Sequence, residues 1–159
     1  MASEIERKFL VTDGAWRAAR TSHVRIEQGY LSLDPERTVR VRLADGRGTL
    51  TVKGKTRGAT RSELEWEIPA ADARDLLESL CLQPLVVKTR SRVPDRGLVW
   101  EVDEFEGTNH GLVVAEVELE REDQEVARPA WIGAEVTGDP RYYNSSLVRR
   151  PFTRWVATD

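Results

Sequence analysis

Charged side chains alternate with other residues along many short segments of this chain. In Glu4-Ile5-Glu6-Arg7-Lys8, the residues at positions 4, 6 and 8 are charged and lie two apart. Successive side chains of a β-strand point to opposite faces, so these three share one face if the segment is extended. The same spacing recurs over most of the chain, at 40–42, 53–55, 61–65, 88–90, 101–103 and 116–120. The pattern predicts a sheet with one charged face.

The charges on this face are sorted by segment. The alternating positions of 40–42, 53–55 and 88–90 are all cations, whereas those of 101–103 and 116–120 are all carboxylates. A sheet with one face in water would explain a charged face. However, exposed ion pairs between strands stabilise a fold by only about 0.2–1 kcal/mol each, and they give no reason for such sorting. We therefore favour a charged face that encloses a cavity.

Turn residues divide the chain into eight predicted strands. These strands cover about 3–11, 24–33, 37–44, 48–55, 61–68, 86–93, 98–105 and 112–120. Eight mostly antiparallel strands can close into a barrel, which removes exposed edges and places one face of every strand inside. The prediction is an α+β fold: a closed antiparallel eight-stranded β-barrel, a tunnel with helices packed on its outside.

Four helical segments are predicted around this barrel. A short helix capped by Asp13 would carry Trp16, and a longer helix over about 70–82 would place Leu76, Leu77 and Leu80 on one apolar face. Residues 122–128 would form one or two helical turns before Pro129. A last helix would follow residues 144–146. The apolar faces of the helices would cover the outside of the barrel.

Composition excludes several classes of function. A chain of 159 residues without a linker or repeat is predicted to be one domain, residues 1–159. Its net charge is -3, whereas nucleic-acid-binding proteins usually carry a basic surface. No apolar run is long enough to span a membrane, and the polar start does not resemble a signal peptide. These observations predict a cytoplasmic protein without nucleic-acid or membrane partners; they do not predict its oligomeric state.

The cations on the predicted inner face would repel one another unless an anion binds between them. Arginine contacts phosphate oxygens through two parallel hydrogen bonds, and lysine supplies a point charge. The candidate phosphate-binding residues are Lys8, Arg40, Arg42, Lys53, Lys55, Arg61, Lys88 and Arg90. The partner that this set predicts is a small molecule carrying several phosphates.

The carboxylates on the same face suit a hard cation. Magnesium and manganese prefer oxygen ligands and often share them with substrate phosphates. The candidate metal ligands are Glu4, Glu6, Glu63, Glu65, Asp103, Glu116 and Glu118. With only two histidines and one cysteine, a zinc site is disfavoured. We predict Mg²⁺ or Mn²⁺, two ions, and hydrolysis by a metal-activated water, because no partnered nucleophile or P-loop is present.

Residues 4–8 resemble the ExExK signature of the CYTH superfamily, the triphosphate tunnel metalloenzymes. Segments that follow in the same order extend the resemblance over essentially the whole chain: 28–31, 39–42, 51–55, 61–65, 88–90, 101–105 and 115–118. The tail from Trp131 to Leu147 is similar to small bacterial inorganic triphosphatases. The resemblance implies a tunnel barrel, dependence on Mg²⁺ or Mn²⁺, and substrates that carry a triphosphate.

The resemblance also implies individual roles. Glu4, Glu116 and Glu118 would bind a first metal that bridges to the substrate, and the other four carboxylates are candidates for a second metal and its water. The eight cations would bind phosphate. Lys8 and Tyr30 are the catalytic candidates, although Tyr30 either adjusts Lys8 or the catalytic water or simply packs.

Three functions follow from these expectations. The leading one is metal-dependent hydrolysis of inorganic tripolyphosphate to pyrophosphate and phosphate. The alternatives are an adenylate cyclase or a nucleoside or thiamine triphosphatase of the same superfamily, and a non-catalytic sensor that binds polyphosphate or a nucleotide.

Overall fold

The computed structural model describes residues 2–155, which form nine β-strands and three α-helices. The strands are β1 (Ser3–Val11), β2 (Ser22–Ser32), β3 (Thr38–Ala44), β4 (Arg47–Lys53), β5 (Thr60–Ile68), β6 (Val86–Asp95), β7 (Leu98–Phe105), β8 (Val113–Glu118) and β9 (Ile132–Glu135). The eight predicted strands correspond to β1–β8, with ends that agree to within two residues. The short strand β9 was not predicted.

The first eight strands close into a ring. Hydrogen-bonded neighbours follow the order β5-β4-β3-β2-β6-β7-β8-β1, and every pairing is antiparallel. The ring closes because the start of β1, Ser3–Ile5, also pairs with β5. Strand β9 lies beside the end of β1 and outside the ring. The predicted closed antiparallel eight-stranded barrel is thus confirmed.

Two of the three apolar clusters among the described residues lie on the outer face of the barrel wall. Helix α1 (Trp16–Ala19) buries Trp16 in a cluster with Phe9 and Trp100 on the outer face. Helix α2 (Ala70–Ser79) packs Leu77 onto β3 and β4. Among residues 2–155, no helix is long and apolar enough to cross a membrane. The helices cover the outer face, so the inside is left to charged side chains.

Helix α3 (Asn144–Arg149) has a different position from the other two helices. Its residues Leu147 and Val148 are buried against Val86 of β6 and Val114 of β8. Its first residue, Asn144, belongs to the lining of the barrel interior. The predicted helix after residues 144–146 is therefore present but begins at Asn144, and it packs on strand residues that share the inward faces of Lys88 and Glu116.

Two predicted helical features are wrong. Asp13 does not cap α1: its Oδ1 accepts a hydrogen bond from the backbone N–H of Ala15 in the preceding turn, and Ala15 itself is the N-cap. Residues 122–128 form no helix in the described structure. Instead, Glu122 accepts from the backbone N–H of Ala59, and Gln124 accepts from that of Glu120. Such bonds from side chain to backbone compete with helix formation.

Helix α2 ends at Ser79, earlier than predicted. The backbone N–H of Cys81 bonds to the carbonyl of Leu76, which turns the chain inward and buries Cys81. Leu80 consequently lies outside the core, with 68% of its surface exposed. The prediction that Leu80 packs on the barrel is wrong for this reason.

Leu77 and Leu80 provide a matched test of this helix. We expect Leu77→Ala to lower the free energy of unfolding by about 2–5 kcal/mol, because it leaves a cavity in a closed core. Leu80→Ala should change it by less than about 0.5 kcal/mol, since its side chain is exposed. Denaturant unfolding measures both values. Equal losses would contradict the position of the helix end.

Candidate active site

The inside of the barrel is a polar cavity of about 190 Å³, which we call the tunnel. All of the predicted site residues line it except Lys55 and Asp103. The predicted residues that do so are Glu4, Glu6, Lys8, Tyr30, Arg40, Arg42, Lys53, Arg61, Glu63, Glu65, Lys88, Arg90, Glu116 and Glu118. Residues from seven strands, far apart in sequence, therefore converge on one enclosed space.

Lys55 does not reach the tunnel. Strand β4 ends at Lys53, so the alternation that directs Lys53 inward no longer applies two residues later. Lys55 is exposed and lines an adjoining cavity of about 490 Å³. This second cavity shares Arg61 and Tyr143 with the tunnel, so the two spaces are neighbours.

Asp103 lies behind the tunnel wall. It is fully buried, and its carboxylate accepts two hydrogen bonds from Arg90, at 2.8 and 2.9 Å. The ammonium group of Lys88 lies 2.8 Å from the same carboxylate. Burial alone would raise the pKa of Asp103. Arg90 and Lys88 nevertheless hold this pKa below its usual value. The structure thus places Asp103 as the partner of two cations.

The cationic wall of the tunnel lacks sufficient negative charge. Arg40 Nε is buried and has no hydrogen-bond partner among the described residues. Burial, with Arg40 and Arg90 nearby, lowers the pKa of Arg42. Burial, with Arg90 and Arg42, also lowers the pKa of Lys88 to about 7 despite the contact with Asp103. A bound anion would relieve this repulsion.

A group of carboxylates in the tunnel has the opposite imbalance. Glu6 of β1 lies directly across from Glu118 of β8, and like charges in that position destabilise a sheet. Burial, followed by the charges of Glu116 and Glu4, raises the pKa of Glu6 to about 8. Burial and Glu4 also raise the pKa of Glu63. A bound cation would stabilise the ionised forms.

Other carboxylates are paired with cations across the tunnel. Glu4 lies 2.6 Å from the ammonium group of Lys53. Glu116 lies 3.5 Å from both Lys8 and Arg90. Burial alone would raise the pKa of Glu116. These two cations nevertheless hold this pKa well below its usual value. Within residues 2–155 no three His, Cys, Asp or Glu side chains are already arranged as a metal site.

Lys8 and Tyr30 both reach the tunnel, but by different means. The ammonium group of Lys8 donates to the backbone carbonyl of Tyr142 at 3.1 Å. The ring of Tyr30 packs in an apolar cluster with Val86 and Val114, and burial raises the pKa of its hydroxyl. That hydroxyl accepts a hydrogen bond from Gln28 Nε2 at 3.4 Å. Tyr30 therefore combines a packed ring with a hydroxyl at the tunnel surface.

Several lining residues were not predicted. Gln28 bonds to Arg42, and Asn144 to Lys88, while Thr137, Tyr143 and other polar residues complete the wall. Gln28 precedes Tyr30 by two residues on β2, so alternation places it inside, but its neutral amide is not part of the charge pattern. Asn144 lies on a helix, where strand alternation gives no signal.

Comparison with known proteins identifies the family. A model of the CYTH domain matches residues 2–152, and the chain belongs to this family. It is 47% identical over 152 residues to an inorganic triphosphatase of Acetivibrio thermocellus, covering 96% of this chain and 97% of that protein.

Solved structures show the same architecture. The crystal structure of the inorganic triphosphatase NE1496 is 33% identical, with a TM-score of 0.64 over 93% of this chain and 95% of that chain. A putative adenylyl cyclase from Hippeastrum is 15% identical, with a TM-score of 0.57 over 74% of this chain and 80% of that chain. At 15% identity, this second likeness shows the fold alone.

The shifted pKa of Glu6 predicts a pH-dependent effect on stability. The pKa of Glu6 is about 8 in the folded protein, against an ordinary value of 4.5. Between these two pH values Glu6 is protonated in the folded protein and ionised in the unfolded chain. This carboxyl group therefore lowers the unfolding free energy of the metal-free protein as pH rises from about 4.5 to 8. Glu6→Gln removes the titration, so its stability relative to wild type should increase over that window.

Unfolding in a chelator at pH 5, 6.5 and 8 measures this difference. Glu67→Gln, which changes an exposed carboxylate near the end of the same charged face, controls for the loss of one charge. A difference between Glu6→Gln and wild type that is constant or shrinks with rising pH would contradict the crowding of carboxylates around Glu6.

Proposed function

We propose that this protein is a metal-dependent hydrolase that cleaves inorganic tripolyphosphate into pyrophosphate and phosphate. The observation that carries the proposal is the double imbalance of charge in the tunnel: cations short of an anion face carboxylates short of a cation. A triphosphate and a divalent metal ion supply both. The similarity to the triphosphatase of Acetivibrio thermocellus over nearly the full length of both chains supports the same substrate.

The cations would bind and orient the triphosphate. Arg40 presents a buried Nε without a hydrogen-bond partner in the described structure, which is a ready donor to a phosphate oxygen. Arg42, Lys53, Arg61, Lys88 and Arg90 line the same wall. Because phosphoryl transfer depends mainly on positioning and charge neutralisation, this set accounts for most of what the protein must contribute.

The carboxylates would hold Mg²⁺ or Mn²⁺, and their oxygen donors fit either ion. Glu4, Glu116 and Glu118 are proposed for the first ion, and Glu6, Glu63 and Glu65 for the second. Asp103, also a candidate for the second ion, fits better as the residue that orients Arg90 and Lys88, because both of its oxygens already accept bonds from them. A bound ion neutralises phosphate charge and lowers the pKa of the attacking water.

In this proposal the attacking water forms a bond to the terminal phosphorus, and the bond to the bridging oxygen breaks to release pyrophosphate. Lys8 stabilises the charge on the transferring phosphoryl group. The carbonyl of Tyr142 holds its ammonium group in place without neutralising it. The Tyr30 hydroxyl lies near Arg40 and Arg42, and we propose that it orients the water or the phosphate.

A second candidate substrate is a nucleoside triphosphate. The adjoining cavity of about 490 Å³ has an apolar wall that includes Leu33, Pro35 and Tyr143, and it meets the tunnel at Arg61. A nucleoside could lie there while its triphosphate occupies the tunnel, which would serve either hydrolysis or cyclisation. The cytoplasmic location expected from the composition remains a prediction.

A panel of substrates tests the proposed reaction. We expect purified protein with Mg²⁺ or Mn²⁺ to release phosphate from tripolyphosphate faster than from ATP or thiamine triphosphate, and to form no cyclic AMP from ATP. The Glu116→Gln variant, purified in the same way, controls for contaminating phosphatases. A strong preference for ATP would overturn the substrate, and tight binding without turnover would favour a sensor.

Neighbouring residues on β1 provide a matched pair. We expect Lys8→Ala to lower kcat by about 10²–10³, because it removes a charge aimed at the transferring phosphoryl group. Arg7→Ala should leave kcat unchanged, since Arg7 points to the opposite face and pairs with Glu135 at the surface, 2.7 Å away. Steady-state phosphate release measures both. Similar losses in the two variants would indicate general damage to β1 and contradict the assignment.

A further inference from the structure

Two neutral amides connect the cationic wall to the C-terminal helix. We propose that Asn144 and Gln28 are positioning residues, which hold Lys88 and Arg42 toward the substrate without cancelling their charge. This inference rests on the proposed function, because it assumes that the wall binds a polyanion. Neither residue belongs to the sets assigned above to metal, phosphate or catalysis.

The hydrogen bonds form a continuous chain. Asn144 Oδ1 accepts from Lys88 Nζ at 2.7 Å and from Gln28 Nε2 at 2.8 Å. Gln28 is fully buried. Its Oε1 accepts hydrogen bonds from Arg42 Nε at 3.0 Å and from Arg42 Nη2 at 2.8 Å. Two amides thereby fix two cations that come from β3 and β6.

The chemistry of the neighbours fixes the orientation of these amides. Lysine and arginine offer only donors, so the amide oxygen of each residue must face its cation. Gln28 then has its NH₂ group directed at the oxygen of Asn144. The reversed orientation would place donors against donors at both cations. Therefore, the arrangement leaves one satisfactory hydrogen-bond pattern.

Arg42 bonds to a neutral amide and Arg90 to a carboxylate, whereas Lys88 contacts one partner of each kind, Asn144 and Asp103. Asp103 orients Arg90 through two bonds but also cancels one unit of positive charge. An amide oxygen orients a cation equally well but carries no net charge, so it does not cancel the positive charge that the cation offers to the phosphates. A carboxylate at position 144 would lie within 3 Å of Lys88 and would neutralise it a second time.

Charge and geometry can be separated at Asn144. Asn144→Asp keeps the size and the acceptor but adds a negative charge, whereas Asn144→Leu keeps the approximate size and removes the acceptor. Asn109→Asp makes the same chemical change at a buried site outside the tunnel, where Asn109 accepts from the backbone of Phe152. For each variant the measurements are KM and kcat with tripolyphosphate, the melting temperature, and calorimetric binding of tripolyphosphate in a chelator.

We expect Asn144→Asp to keep a melting temperature at or above that of wild type, because it gains an ion pair with Lys88. Its KM should rise at least tenfold, and metal-free binding should weaken by a similar factor. Asn144→Leu should lower kcat more than it changes KM, since Lys88 keeps its contact with Asp103 but loses the second contact that fixes its position. Asn109→Asp should leave KM unchanged.

A merely structural role for Asn144 makes the opposite prediction, namely that activity follows melting temperature in every variant. Activity that follows the melting temperature in every variant would overturn the inference. So would an Asn144→Asp variant whose tripolyphosphate binding and KM equal those of the wild type. If wild-type protein binds tripolyphosphate without hydrolysing it, the proposed function fails while the binding comparison still decides the role of Asn144. A wild-type protein that neither binds nor hydrolyses tripolyphosphate would overturn both.

Discussion

Repulsion between like charges in an enclosed space is the constraint on which the rest of this structure depends. Closing eight strands into a barrel forces every second side chain inward, and here most of the residues that line the tunnel are ionised. Charges in such a space are poorly hydrated, so their interactions are stronger than at a surface. The tunnel therefore does not serve as the apolar core. Stability comes from the outer face, where Trp16 and Leu77 are buried, and from a separate apolar cluster around Leu147.

The tunnel relieves part of its repulsion internally. Lys53 pairs with Glu4, and Arg90 bonds to Asp103. Even so, burial together with like-charged neighbours raises the pKa of Glu6 and lowers that of Lys88. A polyanion would draw cations away from carboxylates, and the released carboxylates would then bind metal. Each guest would thus strengthen the binding of the other, and by thermodynamic linkage the two effects would be equal.

Most of the fold and much of the site could be predicted because one signal controls both. The period of two located the eight strands and also selected the residues that line the tunnel. The site residues that the sequence did not predict correctly lie where this alternation ends or where the inward residue is uncharged. Lys55 follows the end of β4, Gln28 is neutral, and Asn144 sits on a helix. Asp103 faces the interior, as alternation predicts, but it pairs with Arg90 behind the residues that line the tunnel. Alternation indicates the face on which a residue lies and not its depth, so it could not predict this position.

Crystals grown with Mn²⁺ and imidotriphosphate, a triphosphate whose nitrogen bridges resist hydrolysis, would test the central claim most directly. The anomalous signal of manganese locates the metal independently of any model. We predict manganese peaks inside the barrel against Glu4, Glu6, Glu116 and Glu118, with the phosphates against Arg40, Arg42 and Lys88. Manganese or triphosphate bound only on the outer surface, with the tunnel side chains unmoved, would contradict the account.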